Sequence, residues 1–202
     1  MQTNVRTLEK ILGCDWEYEA HGIWLAATLS CFEPFFDHLL IPSSYSYDNL
    51  ALPWGSNPAT DHLFASEATR LWHDGGAWHK LAKLKSMAHH SAIQRNLRVC
   101  WMGAQLDRNC GACYKCVGTQ ACFWVSGVPQ PACFDRPCDL RDLSQFRIKS
   151  PQDRHLARVI REEAMCKGMT AMADAIGKAQ RRDVLQRWKL AITHPRQFLE
   201  SL

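Results

Sequence analysis

Four cysteines constrain this chain more than anything else in it. Cys100, Cys110, Cys113 and Cys116 are spaced C-x9-C-x2-C-x2-C, and the last three fall within RNCGACYKCVG, residues 108–118. Two intervening residues let a tight knuckle aim successive thiolates at one point, and Gly111 permits the sharp turn. Zinc takes four soft ligands in a tetrahedron at about 2.3 Å from sulfur. Cys100, at the end of a predicted strand, is placed to supply the fourth. Lys115 and Arg108 would offset part of the dianionic charge of a four-thiolate zinc site. Such a site is closed to water, which points to a structural rather than a catalytic metal. An iron–sulfur cluster shares the C-x2-C-x2-C spacing, and redox-active thiols are a further reading. Zinc is the reading adopted, although the spacing alone does not exclude a cluster.

The compartment bears on the remaining cysteines, since the chain has ten. No stretch approaches the roughly 18 apolar residues of a membrane span. The N-terminal MQTNVRTLEKILGCDW has no apolar run after a basic start, which argues against a secretory signal. A cytoplasmic protein is therefore expected, where thiols stay reduced and a disulfide framework is excluded. Cys14, Cys31 and Cys166 stand alone and read as buried small hydrophobes. Cys122, Cys133 and Cys138 lack an obvious fourth ligand and read as core or loop residues.

Periodicity supplies the architecture. HLLIPSS (38–44), TRLWHDG (69–75) and NLRVCW (96–101) read as strands. Helices are predicted over 17–31, with Ala20, Ile23, Trp24 and Ala27 on one stripe, and over 76–88, with Leu81, Leu84 and Met87 facing inward. Gly22 inside the first signals close packing. A third helix follows the knuckle and is closed by Gly127. Strands alternating with helices imply an α/β fold with a parallel, Rossmann-like sheet. The division expected is an α/β domain over 1–128, a Pro-rich linker over 129–150 and a basic helical tail over 151–202. Residues 139–202 carry 13 Lys/Arg against 8 Asp/Glu, whereas 1–138 carry 11 against 12. A basic tail can meet a nucleotide or RNA, although a solvated helical face is the ordinary reading of such a run.

At the cysteines the sequence resembles a family. LRVCW, NCGACYKC and the apolar helix after them are similar to the C-terminal zinc segment of 7-cyano-7-deazaguanine synthase and its relatives in the PP-loop ATP pyrophosphatase superfamily. IPSSYSYDNLALPWGSNPATDHLFASE, the LWHDG strand and WHKLAKLK also resemble segments of synthase-like proteins, so the likeness spans about residues 3–127. The resemblance implies a PP-loop/HUP-type fold in which ATP adenylates a carboxylate, pyrophosphate leaves and a nitrogen or sulfur nucleophile attacks. It implies Cys100, Cys110, Cys113 and Cys116 as zinc ligands. It also places Ser43, Ser44 and the loop through Trp54, Gly55 and Asp61 near the cofactor pocket.

Two departures matter. The family's Ser-Gly-Gly-x-Asp-Ser loop, which grips pyrophosphate, is absent; the one Gly-Gly pair, Gly75–Gly76, lacks the serines. TNVR (3–6) resembles a segment that lies beyond that loop in relatives, so the chain is read as a partial domain. Gly118 stands where relatives commonly carry an arginine. Phosphate sites depend on such backbone amides, and stabilising developing charge is usually the largest catalytic term.

These observations lead to two expectations. In the first, the chain is the zinc-binding C-terminal portion of a synthase-like ATP-dependent ligase. It is inactive alone, and ATP with Mg2+ binds only if a PP-loop-bearing partner supplies the loop. In the second, it is a non-catalytic, zinc-stabilised module that recognises a nucleotide, RNA or protein. A homo-oligomer or a pairing with the PP-loop chain is expected in either, and no membrane contact. No catalytic residue is assigned. Asp74, with His73, ends a predicted strand where open α/β sheets place ligand groups; a structural His–Asp pair is the competing reading.

Overall fold

The computed structural model describes residues 3–5, 7–50, 52–102 and 107–195. The chain divides into two compact units, residues 1–79 and 80–202. It is a mixed α/β chain whose sheet is smaller than the sequence predicts.

In the first unit α1 (Thr7–Leu12) precedes a π-helical turn, Trp16–Ala20, and α2 (His21–Ser30). Asp15 caps the turn: its side chain accepts the Tyr18 N–H at 2.8 Å, while Glu19 accepts the Asp15 N–H at 2.8 Å. A π-helical turn closes i→i+5 bonds and so shifts the phase of the helix that follows. The buried positions are accordingly Ala20, Trp24 and Ala26, whereas Ile23 and Ala27 of the predicted stripe face solvent. Gly22 packs closely, as expected. Its N–H donates to the Gly55 carbonyl at 3.0 Å, and a Cβ there would collide with that oxygen.

Strands β1 (His38–Pro42) and β2 (Arg70–Asp74) pair in parallel, with Leu39 opposite Leu71 and Ile41 opposite His73. Alternation sends Leu39, Ile41 and Leu71 inward, where they meet Ala26 of α2. Among the described residues the crossover between the strands carries two short 3-10 turns, Tyr47–Asn49 and Asp61–Phe64.

The second unit is helical: α3 (Lys80–Met87), α4 (Ser91–Asn96), α5 (Tyr114–Val125), α6 (Leu140–Ser144), α7 (Pro151–Cys166) and α8 (Thr170–Thr193). Leu81 and Leu84 are buried, but Met87 is exposed and Ala88 takes the inward position. The predicted third strand, 96–101, is not one. Asn96 ends α4, and residues 97–100 are irregular backbone held by the side chain of Asn109. That carboxamide accepts the N–H groups of Val99 and Cys100 at 2.9 and 3.0 Å and donates to the carbonyls of Leu97 and Cys133 at 2.7 and 2.8 Å. One buried side chain thus does the work of a neighbouring strand.

The chain does not divide at the expected linker and tail. Residues 129–150 bury Phe134, Cys138, Leu143 and Phe146, and 151–202 supplies Leu156, Ile160, Met172 and Ile176 to the same core as α3 and α5. Capping boxes at Asp139/Asp142 and Ser150/Asp153 start α6 and α7. Leu185 and Trp188 of α8 remain exposed. No helix among the described residues is long and apolar enough to cross a membrane.

Gly118 has a packing role here. A Cβ at this position would lie 3.2 Å from the Phe146 ring and 3.4 Å from Leu156, so an arginine cannot be accommodated without displacing both. Overpacking a tight core costs about 1–3 kcal/mol. Gly118→Leu is expected to lower stability by that amount in urea unfolding monitored by circular dichroism.

Candidate metal centre

Each of the four cysteines arrives by a different local device. Asn109 fixes Cys100 through its backbone N–H. Gly111, at φ +75°, turns the knuckle, and a Cβ there would overlap the Arg136 carbonyl. Cys113 is the N-cap of α5, and Cys116 lies in its first turn. The predicted helix therefore starts earlier than residue 117 and carries the last ligand itself. Gln120, fully buried, fastens the knuckle from below. It donates to the Gly111 carbonyl at 2.9 Å and accepts the Cys138 N–H at 2.9 Å.

The result is a cluster in which all four Sγ atoms lie within 4.8 Å of one another. Cys100 is 3.5 Å from Cys110 and 3.8 Å from Cys113, and Cys110 is 3.9 Å from Cys116. A tetrahedron with bonds of about 2.3 Å has edges of about 3.8 Å, whereas a disulfide needs about 2.05 Å. All ten cysteines are free. The residues thus fit a metal ion such as zinc. Cys113 donates its N–H to Cys110 Sγ at 3.4 Å. Burial pushes the Cys113 and Cys116 thiols up, the latter far above the ordinary thiol range, so without a metal they are neutral. The two cations expected at the centre are directed elsewhere: Lys115 Nζ lies 5.5 Å from the centroid of the Trp101 ring, and Arg108 stands beside Asp107 and Asp135 at 3.7 and 3.9 Å.

The other cysteines separate cleanly. Cys122 is fully buried with its thiol pushed by burial up to about 11, and Cys138 is buried and pushed up to about 12. Cys133 is half-buried. Cys31 and Cys166 are exposed and Cys14 half-buried, against the expectation that all three are core residues. An isolated small thiol gives no periodic signal by which burial can be read.

In the first unit, Ser43 and Asp74 do come together. The Ser43 N–H donates to the Asp74 carbonyl at 2.7 Å, extending the ladder past the carboxyl ends of β1 and β2. Ser43 is buried, while Ser44 and Asp74 are exposed. His73 pairs with Asp61 rather than with its neighbour: Nδ1 lies 2.7 Å from Asp61 Oδ2, with the side chains 5% and 0% exposed. Ser56 Oγ donates to the same oxygen at 2.6 Å, and the Asn57 N–H reaches Oδ1 at 3.1 Å. The hydroxyl therefore sits on the aspartate side of the pair, and Nε2 is buried with no hydrogen-bond partner among the described residues. This geometry locks a tautomer and a loop; it does not activate a nucleophile. Trp54 is packed by Tyr45, His21 and Tyr18, with ring centroids 4.8, 5.3 and 6.1 Å away. His90 is the N-cap of α4, and its Nδ1 accepts the Ala92 N–H at 3.3 Å.

Comparisons with protein-family models, with curated proteins and with solved structures return no match. Purified protein is expected to hold one tightly bound metal ion, and Cys113→Ser to lower both its metal content and its melting temperature. Full metal content in the variant would refute the ligand set. Because each raised thiol must lose a proton to ligate, metal affinity should fall as pH drops. Release followed with a chromogenic chelator checks the sign.

Proposed function

We propose that the chain is the zinc-bearing portion of an ATP-dependent ligase similar to 7-cyano-7-deazaguanine synthase. The observation that carries this reading is the C-x9-C-x2-C-x2-C set drawn to tetrahedral spacing at the start of an apolar helix. Zinc is the ion of choice because four soft thiolates at these separations match its radius and geometry. With all four positions taken by sulfur, the metal holds the fold and leaves the chemistry to other groups. The parallel pair supports the same reading: Ser43, Ser44 and Asp74 stand at the carboxyl ends of β1 and β2, the place where open α/β sheets receive a nucleotide. ATP and Mg2+ would then bind only where a partner chain contributes the pyrophosphate-gripping loop.

A second reading is favoured by the closed four-thiolate centre together with the lack of a Ser-Gly-Gly-x-Asp-Ser motif in the sequence. In it the chain is a non-catalytic module stabilised by zinc that binds a nucleotide, RNA or protein.

Pyrophosphate release separates the two. The chain alone should release none from ATP with any carboxylate substrate, since the amides that would hold the departing group are missing. On the ligase reading, mixing it with a PP-loop-bearing chain restores release, and Asp74→Ala reduces it. Robust release by the chain alone would overturn the proposal, and iron with sulfide in the purified protein would overturn the zinc assignment.

A further inference from the structure

A cavity of about 270 Å³ opens between the N-terminal turn of α5 and the segment that follows α6. Val117 and Phe146 give it an apolar floor, and Tyr114 adds an aromatic ring. Gln145, Arg147 and Lys149 supply its polar groups. Lys149 Nζ stands 4.7 Å from the centroid of the Tyr114 ring. Asp142 also lines the cavity, but its charge is already matched: Oδ1 accepts from Arg136 Nη2 at 2.6 Å, and both oxygens serve the cap of α6. Among the described residues no ion pair holds the Arg147 guanidinium or the Lys149 ammonium.

Two cations without a carboxylate partner among the described residues, one of them over the Tyr114 ring, and a carboxamide around an aromatic and apolar floor form a recognisable chemistry. Convergent donors fix an anion, and the apolar surface takes the body attached to it. Arginine and lysine together suit a phosphate, one as a planar fork and the other as a mobile point charge. The volume lies just under the roughly 300 Å³ at which drug-sized pockets begin, a size that suits a small molecule. We propose that this cavity binds a small phosphomonoester, its phosphate on Arg147 and Lys149 and its planar or apolar body against Tyr114 and Phe146. The site goes beyond the ligase and module readings: the start of α5, with Cys113, Tyr114 and Val117, forms one wall beside the metal centre, and residues 142–149, outside the segment that resembles the synthase, form the other.

The test uses the full chain with its metal and titrates phenyl phosphate, inorganic phosphate and phenol. Calorimetry and backbone amide shifts are the readouts. Phenyl phosphate should bind saturably and move the amides of Tyr114, Gln145 and Arg147. Inorganic phosphate should bind more weakly at the same amides, and phenol should not. The double variant Arg147→Ala/Lys149→Ala should lose at least about tenfold in affinity, as two charge-assisted contacts require. Its metal content and circular dichroism should be unchanged, and Arg147→Lys should recover part of the loss. Absence of saturable shifts at those amides, undiminished affinity in the double variant, or phenol or inorganic phosphate binding as tightly as phenyl phosphate would each overturn the proposal.

Discussion

Four sulfur atoms held within 4.8 Å of one another cannot be indifferent to their surroundings. As thiolates they repel, and as thiols they lose good solvation without gaining good hydrogen bonds. A shared cation such as zinc would make the arrangement favourable. The second unit is arranged around meeting that demand. Asn109 holds the backbone that brings Cys100 in, tying it also to the Arg98 side chain and the Cys133 carbonyl, and Gln120 ties Gly111 to Cys138. These are side-chain amides buried to completion, satisfied on both oxygen and nitrogen. Groups of that kind are worth little until every partner is present and are costly when one is missing.

The four-cysteine cluster was legible in the sequence because its geometry is local. Three cysteines at x2 spacing must turn back on one another, and a fourth separated from them by nine residues has few places to go. The Asn109 scaffold was not legible, although the residue directly precedes Cys110. Its partners at 97, 99, 100 and 133 are scattered, and one carboxamide doing the work of a strand leaves no period to detect. The predicted strand over 96–101 failed for the same reason: Val and Leu there are apolar but have no ladder to join. Phe134 and Phe146 were hidden by prolines that suggest a linker, yet prolines and a capping aspartate are equally what a tightly folded connection needs.

In the first unit the two strands were readable from their apolar runs, and their parallel sense was expected from strands alternating with helices, although the described residues between β1 and β2 hold 3-10 turns in place of a helix. The partnership of Asp61 with His73 was not, since adjacency in sequence pointed to Asp74. A β-strand sends neighbouring side chains to opposite faces, so His73 turns toward the buried loop as Asp74 turns to solvent. Pairing a buried carboxylate with a histidine, a serine hydroxyl and a backbone N–H answers the cost of leaving water. The pair thereby becomes the clasp of the loop that carries Trp54.

The outer face of β1 and β2 has a dynamic consequence. Leu40 and Trp72 stand opposite each other in register and are each 52% exposed, while the inner face is closed by four buried residues. A two-stranded ladder with one thinly covered face is marginal by itself in water. Local opening in such a segment requires far less free energy than global unfolding. The strand ends that carry Ser43 and Asp74 thus ride on a two-stranded ladder open on one side, and a ligand or partner that settled on the open face would stiffen them as it bound.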